Sequence, residues 1–274
     1  MHCVFQVCRK SRHMTSNKLK FKQMKLSIIS LLFLLLFFNC RGQGNEISRN
    51  SFFSPGFAQV KEGANFGLVF NGPAMNYGMN WDFKNGKRMI TFGYELGVGV
   101  LFSKSIPALG IYLKPAEFAY MFRFPGSNSR LFIGPSLKFE YNYYLYPQLQ
   151  SGFDYWFTDF SCGVNARYDF KYRSSSFQLM ANSSLMGFVS RQPVYRDPYF
   201  FDLGFKYAVR DLHQNLTFAS LEKYNTTKLE ILWKPRLNSR FTLGYVFNYS
   251  GYYQAPGIRL VSHSIKIVIN KKQK

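Results

Sequence analysis

The stretch Leu131–Tyr146, LFIGPSLKFEYNYYLY, alternates between two kinds of side chain. Its odd-numbered positions are almost all large and apolar, whereas the even-numbered positions include Gly134, Ser136, Lys138 and Glu140. Successive side chains on a β-strand point to opposite faces, so a period of two predicts a strand with one apolar and one polar face. Strands of soluble proteins are usually about 5–6 residues long, and this stretch is much longer.

The same alternation recurs along most of the chain. It predicts ten strands, at approximately 64–71, 75–83, 88–101, 109–124, 130–146, 154–172, 176–189, 226–234, 240–250 and 258–270. The apolar register slips at Pro115, and a β-bulge is predicted there because proline cannot donate to the ladder. A further strand at Asp197–Val209, DPYFFDLGFKYAV, would with a partner raise the number to twelve.

Residues 1–42 are predicted to be a leader that contains a signal peptide. Leu26–Phe38 is strongly apolar and follows several lysines. A membrane-spanning helix needs about 20 apolar residues, whereas a shorter run after basic residues is typical of a secretory signal. Met24 is an alternative start, and lipidation of Cys40 is an alternative to cleavage after Gly42.

The charge of the chain is strongly positive, with 35 Lys and Arg against 14 Asp and Glu. Eight of the basic residues lie in the leader, which has no acid, and the others are dispersed. No basic cluster is interleaved with stacking aromatics, so nucleic acid is not predicted as a partner. A hydrophobic content of 47% and a charged content of 18% exclude general disorder. Beyond the leader only Cys162 remains, which excludes a disulfide within the mature chain.

The long amphipathic strands predict a transmembrane barrel. Strands that cross a membrane need roughly 9–11 residues, and a closed barrel satisfies every backbone group within hydrocarbon. We therefore predict an all-β, antiparallel, up-and-down transmembrane β-barrel at 64–270. Residues 43–63 would form a periplasmic segment before it, and 271–274 a basic tail after it. Short turns alternate with longer loops along the chain, as expected for periplasmic and outer connections.

The leader, followed by alternating strands rich in Tyr, Asn and Gly, resembles the outer-membrane β-barrel proteins of Gram-negative bacteria. The heavy use of Phe, Tyr, Asn and Lys is similar to members from Bacteroidota. The resemblance covers about residues 60–270 and depends on pattern rather than on a diagnostic motif. It implies export to the cell outer membrane, contact with outer-membrane lipid and lipopolysaccharide, and insertion by the barrel assembly machinery. Fold alone does not define an activity.

The polar faces of the strands are predicted to bring charged side chains into the lumen. These are Asp82, Glu95, Glu117, Arg123, Lys138, Glu140, Arg167, Asp169, Lys228 and Glu230. Ten strands enclose a lumen little wider than side chains, so such charges must pair or hold water. The main interpretation is a salt-bridged plug, and the functional alternative is a narrow polar path for small solutes.

Asp211 and His213 form an enzymatic alternative in the long loop. A carboxylate that orients a histidine can activate water for hydrolysis. The pair resembles the Asp-x-His arrangement of the omptin proteases, which are ten-stranded outer-membrane barrels. That family also needs a pair of acids on the opposite wall, and the corresponding loop here, FSKSIPALG, has none. A solvated loop histidine is the simpler interpretation, and no catalytic residue is assigned.

The role expected from the sequence is non-enzymatic: structural support, surface interaction through residues 190–225, or limited solute passage. Aromatic and arginine side chains are frequent in interaction hot spots. The loop candidates for such contacts are Tyr195, Arg196, Tyr199, Phe200 and Phe201. Transfer of lipid or hydrophobic solutes is a further alternative. No cofactor is predicted, and no Cys, His and Asp cluster has the spacing of a zinc site.

Overall fold

The computed structural model describes residues 46–63, 67–125, 130–148, 154–191, 212–213, 215–236, 239–255 and 257–272. Strands occupy nearly all of them: β1 Glu46–Glu62, β2 Leu68–Asn85, β3 Arg88–Ser103, β4 Ile106–Arg123, β5 Leu131–Leu145, β6 Asp154–Tyr172, β7 Ser175–Arg191, β8 Thr217–Ser220, β9 Tyr224–Lys234, β10 Phe241–Tyr252 and β11 Ile258–Lys272. Across these ranges, no helix has the length and apolar character needed to cross a membrane.

The strands close into an antiparallel barrel. Each strand from β1 to β7 pairs with the next, and β7 then pairs with β9, β9 with β10, and β10 with β11. The pairing of β1 with β11, which sets Phe57 opposite His263, closes the circle. The predicted all-β barrel of ten strands is therefore confirmed.

The short strand β8 shares one place in the wall with β9. Strand β7 pairs with β8 through Met186–Val189 and with β9 through Ser176–Ser183. Between β8 and β9 the chain turns away from the wall. In this turn the Lys223 amide donates a 2.9 Å hydrogen bond to the Ser220 carbonyl. The Thr226 amide donates to the Ser184 hydroxyl at 2.8 Å and returns the chain to the wall.

The predicted start of the barrel at residue 64 is wrong, because the segment 43–63 contributes strand β1. This strand runs over Glu46–Glu62 and pairs along its length with both β2 and β11. Without it the barrel would have two open edges, whose unpaired backbone groups are costly in hydrocarbon. Its alternation is obscured in the sequence because Phe52 and Phe53 are adjacent and face opposite sides.

The predicted strands 64–71 and 75–83 both contribute to one strand, β2, which begins at Leu68. The intervening Gly72 and Pro73 read as a turn, but they lie in the ladder opposite Ala58 and Phe57. A Cβ at Gly72 would lie 2.2 Å from the Val100 carbonyl oxygen, so glycine is needed there for close strand approach. The predicted number of ten strands was nevertheless right, because the prediction divided β2 into two strands and omitted β1. At the other end β11 reaches Lys272, beyond the predicted boundary at residue 270.

The β-bulge predicted at Pro115 is confirmed. The register of β4 against β5 shifts between Leu113 and Ala116. A bulge adds one residue to a strand without a partner opposite it. Consequently Lys114 and Glu117, three residues apart, form an ion pair inside the barrel instead of facing opposite sides.

The two surfaces of the barrel differ in polarity in the way that the alternation predicts. Large apolar side chains cover the outside and are about 36–61% exposed, including Leu96, Phe160, Leu229, Trp233 and Tyr172. The inside carries the buried charged and polar groups. A soluble protein does the reverse, so this exterior is suited to hydrocarbon.

Several sequence predictions lie outside the described residues. These are the leader 1–42, the additional strand 197–209, and the loop candidates Tyr195, Arg196, Tyr199, Phe200 and Phe201. Asp211 lies outside them as well.

Candidate functional site

The candidate site is the lumen, and its end near the long loop is closed by apolar packing. We call the following buried side chains the apolar plug: Val60, Phe70, Leu101, Ala108, Tyr144, Tyr146, Tyr155, Phe157, Val189, Ala219, Tyr224, Tyr252 and Ile258. The ring centroids of Phe70 and Tyr146 are 4.7 Å apart, and those of Phe157 and Tyr224 are 5.8 Å apart. Burial raises the pKa of Tyr146, which keeps its phenol neutral.

One ion pair lies within the apolar plug. Arg191 Nη2 donates to Glu62 Oε1 at 2.5 Å, and neither side chain has more than slight exposure. The guanidinium also lies 6.0 Å from the centroid of the Phe157 ring. Two residues 129 positions apart thus join β1 to the end of β7 across the lumen.

The middle of the lumen is crossed by a network of ion pairs centred on Glu95. Its carboxylate lies 3.2 Å from Lys114 Nζ and 3.5 Å from Lys228 Nζ. Lys114 also bonds Glu117, and Asn76 donates to Glu95 Oε1 at 2.9 Å. These groups come from β2, β3, β4 and β9, so the network ties opposite sides of the barrel together.

A second branch of the network reaches the apolar plug. Lys138 Nζ lies 3.0 Å from Glu140 and 3.8 Å from Asp159, which is fully buried. Tyr224, a member of the apolar plug, donates its hydroxyl to Asp159. Tyr112 donates to the other oxygen of Glu140 at 3.0 Å. The hydroxyl groups of Tyr112 and Tyr224 therefore lie at the boundary between the apolar and the charged parts of the lumen.

Glu230 and Lys266 form the most deeply buried pair of the network. Their charged atoms are 2.7 Å apart, and the side chains are 1% and 3% exposed. Lys228 lies 3.9 Å from the other oxygen of Glu230. The ammonium of Lys266 also lies 4.1 Å from the centroid of the Phe52 ring.

Towards the end formed by the short turns, the charges are partly exposed. Arg167 donates to Asp82 and Asp169, both at 2.9 Å. Lys84 approaches Asp169 at 3.7 Å and is 36% exposed. The lumen thus becomes more polar and more accessible from the apolar plug towards the turns.

The structure places nine of the ten predicted lumen charges in these ion pairs. Arg123 differs: it has the inward register but lies exposed at the end of β4. The sequence prediction missed six charged residues of the lumen: Glu62, Lys84, Lys114, Asp159, Arg191 and Lys266. For Lys266 the signal was present, because SIKIVIN alternates and places it on the polar face.

Cavities of about 130, 260 and 30 Å³ lie in the described lumen. The first lies between the apolar plug and the network, and the second lies towards the turns. Glu117, Asn182 and Lys228 line both the first and the third cavity. Arg167 and Glu230 line both the second and the third cavity. Side chains that take part in ion pairs therefore lie where neighbouring cavities meet.

His213 lies on the outer wall of the barrel. Its Nε2 is 2.8 Å from the Tyr141 hydroxyl, and its ring centroid lies 6.1 Å from that of Phe139. Both aromatic residues belong to the outward face of β5. The predicted partner Asp211 lies outside the described residues, so the pair stays a prediction. Among the described residues, no group of three or more His, Cys, Asp and Glu could hold a metal.

Comparisons with known proteins add little to this picture. No family model and no curated protein matches the sequence. Among solved structures, the outer membrane protease OmpT from Escherichia coli is similar over 84% of this chain and 96% of its own, with 9% identity and a TM-score of 0.42. The translocator domain of the autotransporter NalP from Neisseria meningitidis is similar over 89% and 95%, with 8% identity and a TM-score of 0.41.

The attachment invasion locus protein Ail of Yersinia pestis is also similar, over 81% of this chain and 99% of its own. Its identity is 12% and its TM-score 0.31. The three proteins differ in kind: a protease, a translocator domain and an attachment protein. The closed barrel is established by the strand pairing of the chain itself, and no activity is carried over from these proteins.

Proposed function

We propose that the chain is an integral outer-membrane β-barrel with a closed lumen, which serves as a structural scaffold for surface interaction. The observation that carries this proposal is the obstruction of the lumen by the apolar plug and the ion-pair network. A path for solutes needs continuous space lined by groups that release what they bind. In the described lumen, the cavities are small, and ion-paired side chains lie where neighbouring cavities meet.

Placement in the outer membrane is supported by the barrel itself. Its exterior is apolar, its strands mostly exceed ten residues, and its backbone edges are closed. Such barrels are typical of the outer membrane of Gram-negative bacteria. The signal peptide in residues 1–42 and an origin in Bacteroidota are parts of the same proposal, and they depend on the sequence pattern and composition.

The surface-interaction part of the proposal depends on the long connection between β7 and β9. All other connections span only a few residues. This one carries Tyr195, Arg196, Tyr199, Phe200 and Phe201, which are residue types that dominate interaction hot spots. A rigid, closed barrel is a suitable support for such a loop, because a scaffold positions binding residues without taking part in the contact.

The closed lumen can be tested by planar-bilayer conductance of the refolded chain. The wild-type protein should give no conductance steps above baseline. A variant with Tyr146→Ala, Phe157→Ala, Glu117→Ser, Lys228→Ser, Arg167→Ser and Glu230→Ser should give steps, because it removes bulk from the apolar plug and the ion-paired side chains between the cavities. Phe160→Ala is the matched control, since Phe160 is on the same strand as Phe157 but faces outward and is 46% exposed. Steps from the wild-type protein would contradict the proposal.

A further inference from the structure

The short-turn end of the barrel carries a ring of exposed cations. The four connections at this end join β2 to β3, β4 to β5, β6 to β7 and β9 to β10. Each contributes two exposed basic side chains, and together we call them the basic ring: Lys87, Arg88, Arg123, Arg130, Lys171, Arg173, Arg236 and Arg240. The cations are therefore spread around the circumference of the barrel rather than gathered on one side.

Exposed acids do not accompany the basic ring among the described side chains. Asp82 and Asp169, the acids nearest this end, point inward to Arg167. The other acids whose side chains the structure describes also face the lumen, except Glu222, which lies near the opposite end in the turn between β8 and β9. Because these acids point into the barrel, the positive excess of the described side chains lies at the barrel surface and is concentrated at one end.

The basic ring lies at the edge of the apolar exterior. Arg173 lies 5.4 Å from the centroid of the exposed Tyr172 ring, and Arg49 lies 5.9 Å from that of Trp81. Trp233, 42% exposed, is on the strand that leads to Arg236. Aromatic rings at the ends of membrane-spanning strands are typical of the headgroup level of a bilayer. The cations are then at the depth of lipid phosphates.

We propose that the basic ring binds the phosphates of anionic glycerophospholipids in the leaflet at the short-turn end. Clusters of Lys and Arg beside a membrane attract anionic headgroups, and Arg forms bidentate bonds with phosphate oxygens. The opposite end has only four exposed cations in the described residues, Lys61, Lys104, Lys223 and Arg259, together with Glu222. The preference should therefore be confined to one leaflet. This inference requires membrane insertion but is independent of the closed lumen and of the surface role.

Tryptophan quenching by brominated lipids tests the preference. Trp81 and Trp233 lie at the short-turn end, whereas Trp156 lies at the other end, is 4% exposed and gives a constant background. The full chain is refolded into phosphatidylcholine vesicles that contain a minor fraction of brominated phosphatidylglycerol or brominated phosphatidylcholine. We expect anionic lipid to associate about fivefold more strongly than zwitterionic lipid at low salt. This ratio should fall as salt screens the charges.

Two variants decide whether the basic ring causes the preference. Replacing its eight cations with Gln should bring the ratio to about one, and replacing only Lys87, Arg88, Arg236 and Arg240 should give an intermediate ratio if the larger variant does not fold. The matched control replaces Lys61, Lys104, Lys223 and Arg259 with Gln and should keep the wild-type ratio. Equal quenching by both lipids, or a ratio unchanged by the ring substitutions, would overturn the inference. Absence of quenching by either lipid would instead refute membrane insertion and with it both proposals.

Discussion

The two parts of the lumen are filled by different chemistry. The apolar plug consists of aromatic and aliphatic side chains around one ion pair, whereas the middle and the short-turn end are filled by charged side chains in opposite pairs. Both leave little space, and both connect strands that are distant in sequence. A single substitution should affect the two parts differently. Truncating an apolar side chain removes only the contacts of that side chain, whereas replacing one charged partner breaks the whole ion pair.

The difference follows from the cost of burying charge. An apolar side chain stabilises the barrel in proportion to the area it removes from water. A buried ion pair gains little net free energy, because the loss of hydration offsets the attraction. Removing one partner, however, leaves the other charge buried and uncompensated. The network therefore contributes more to the specificity of side-chain pairing than to the free energy of unfolding.

The largest effect is expected at the pair Glu230 and Lys266. Lys266→Met should lower the free energy of unfolding by about 3–5 kcal/mol, because Glu230, at 1% exposure, would lose its 2.7 Å partner and keep only Lys228 at 3.9 Å. The measurement is urea unfolding of the barrel refolded in detergent micelles. The double variant Glu230→Gln, Lys266→Met should lose much less. If the double variant were as unstable as the single one, the pair would be acting through packing instead of charge.

A smaller effect is expected in the apolar plug. Phe157→Ala should lower the free energy of unfolding by about 3 kcal/mol, since it removes a fully buried ring from contact with Tyr224 and Tyr252. The same urea titration measures it. Phe160→Ala on the outward face of the strand serves as the control and should cost clearly less, because its ring is 46% exposed. An equal loss in both variants would contradict the distinction between the apolar plug and the exterior.

Most of the barrel could be predicted from the sequence because a period of two is a local signal. Strands β5 and β6 alternate so regularly that their bounds agree with the prediction within a residue or two. Strand β1 could not be found in this way, since its outward face includes Ser51, Gln59 and Lys61. Its place follows only from pairing with β11, at the other end of the chain.

The partners in the ion pairs of the lumen could not be predicted from the sequence. Alternation shows that a charge points inward, but the partner depends on strand order and register. Glu62 and Arg191 are an example, because both lie outside the predicted strands and 129 positions separate them. Lys114 is another, since its inward position becomes compatible with that of Glu117 only through the bulge at Pro115.

The smallest effect is expected where the network meets water. Lys84→Met should change the free energy of unfolding by at most about 1 kcal/mol, because Lys84 is 36% exposed and its distance to Asp169 is 3.7 Å. Asp169 also keeps Arg167 at 2.9 Å after the substitution, so no buried charge is left alone. The urea midpoint in low and high salt measures the remaining contribution, which salt should remove. A loss as large as that of Lys266→Met would mean that desolvation of the ion pairs extends to the short-turn end, and the contrast between a deep and an accessible part of the network would have to be abandoned.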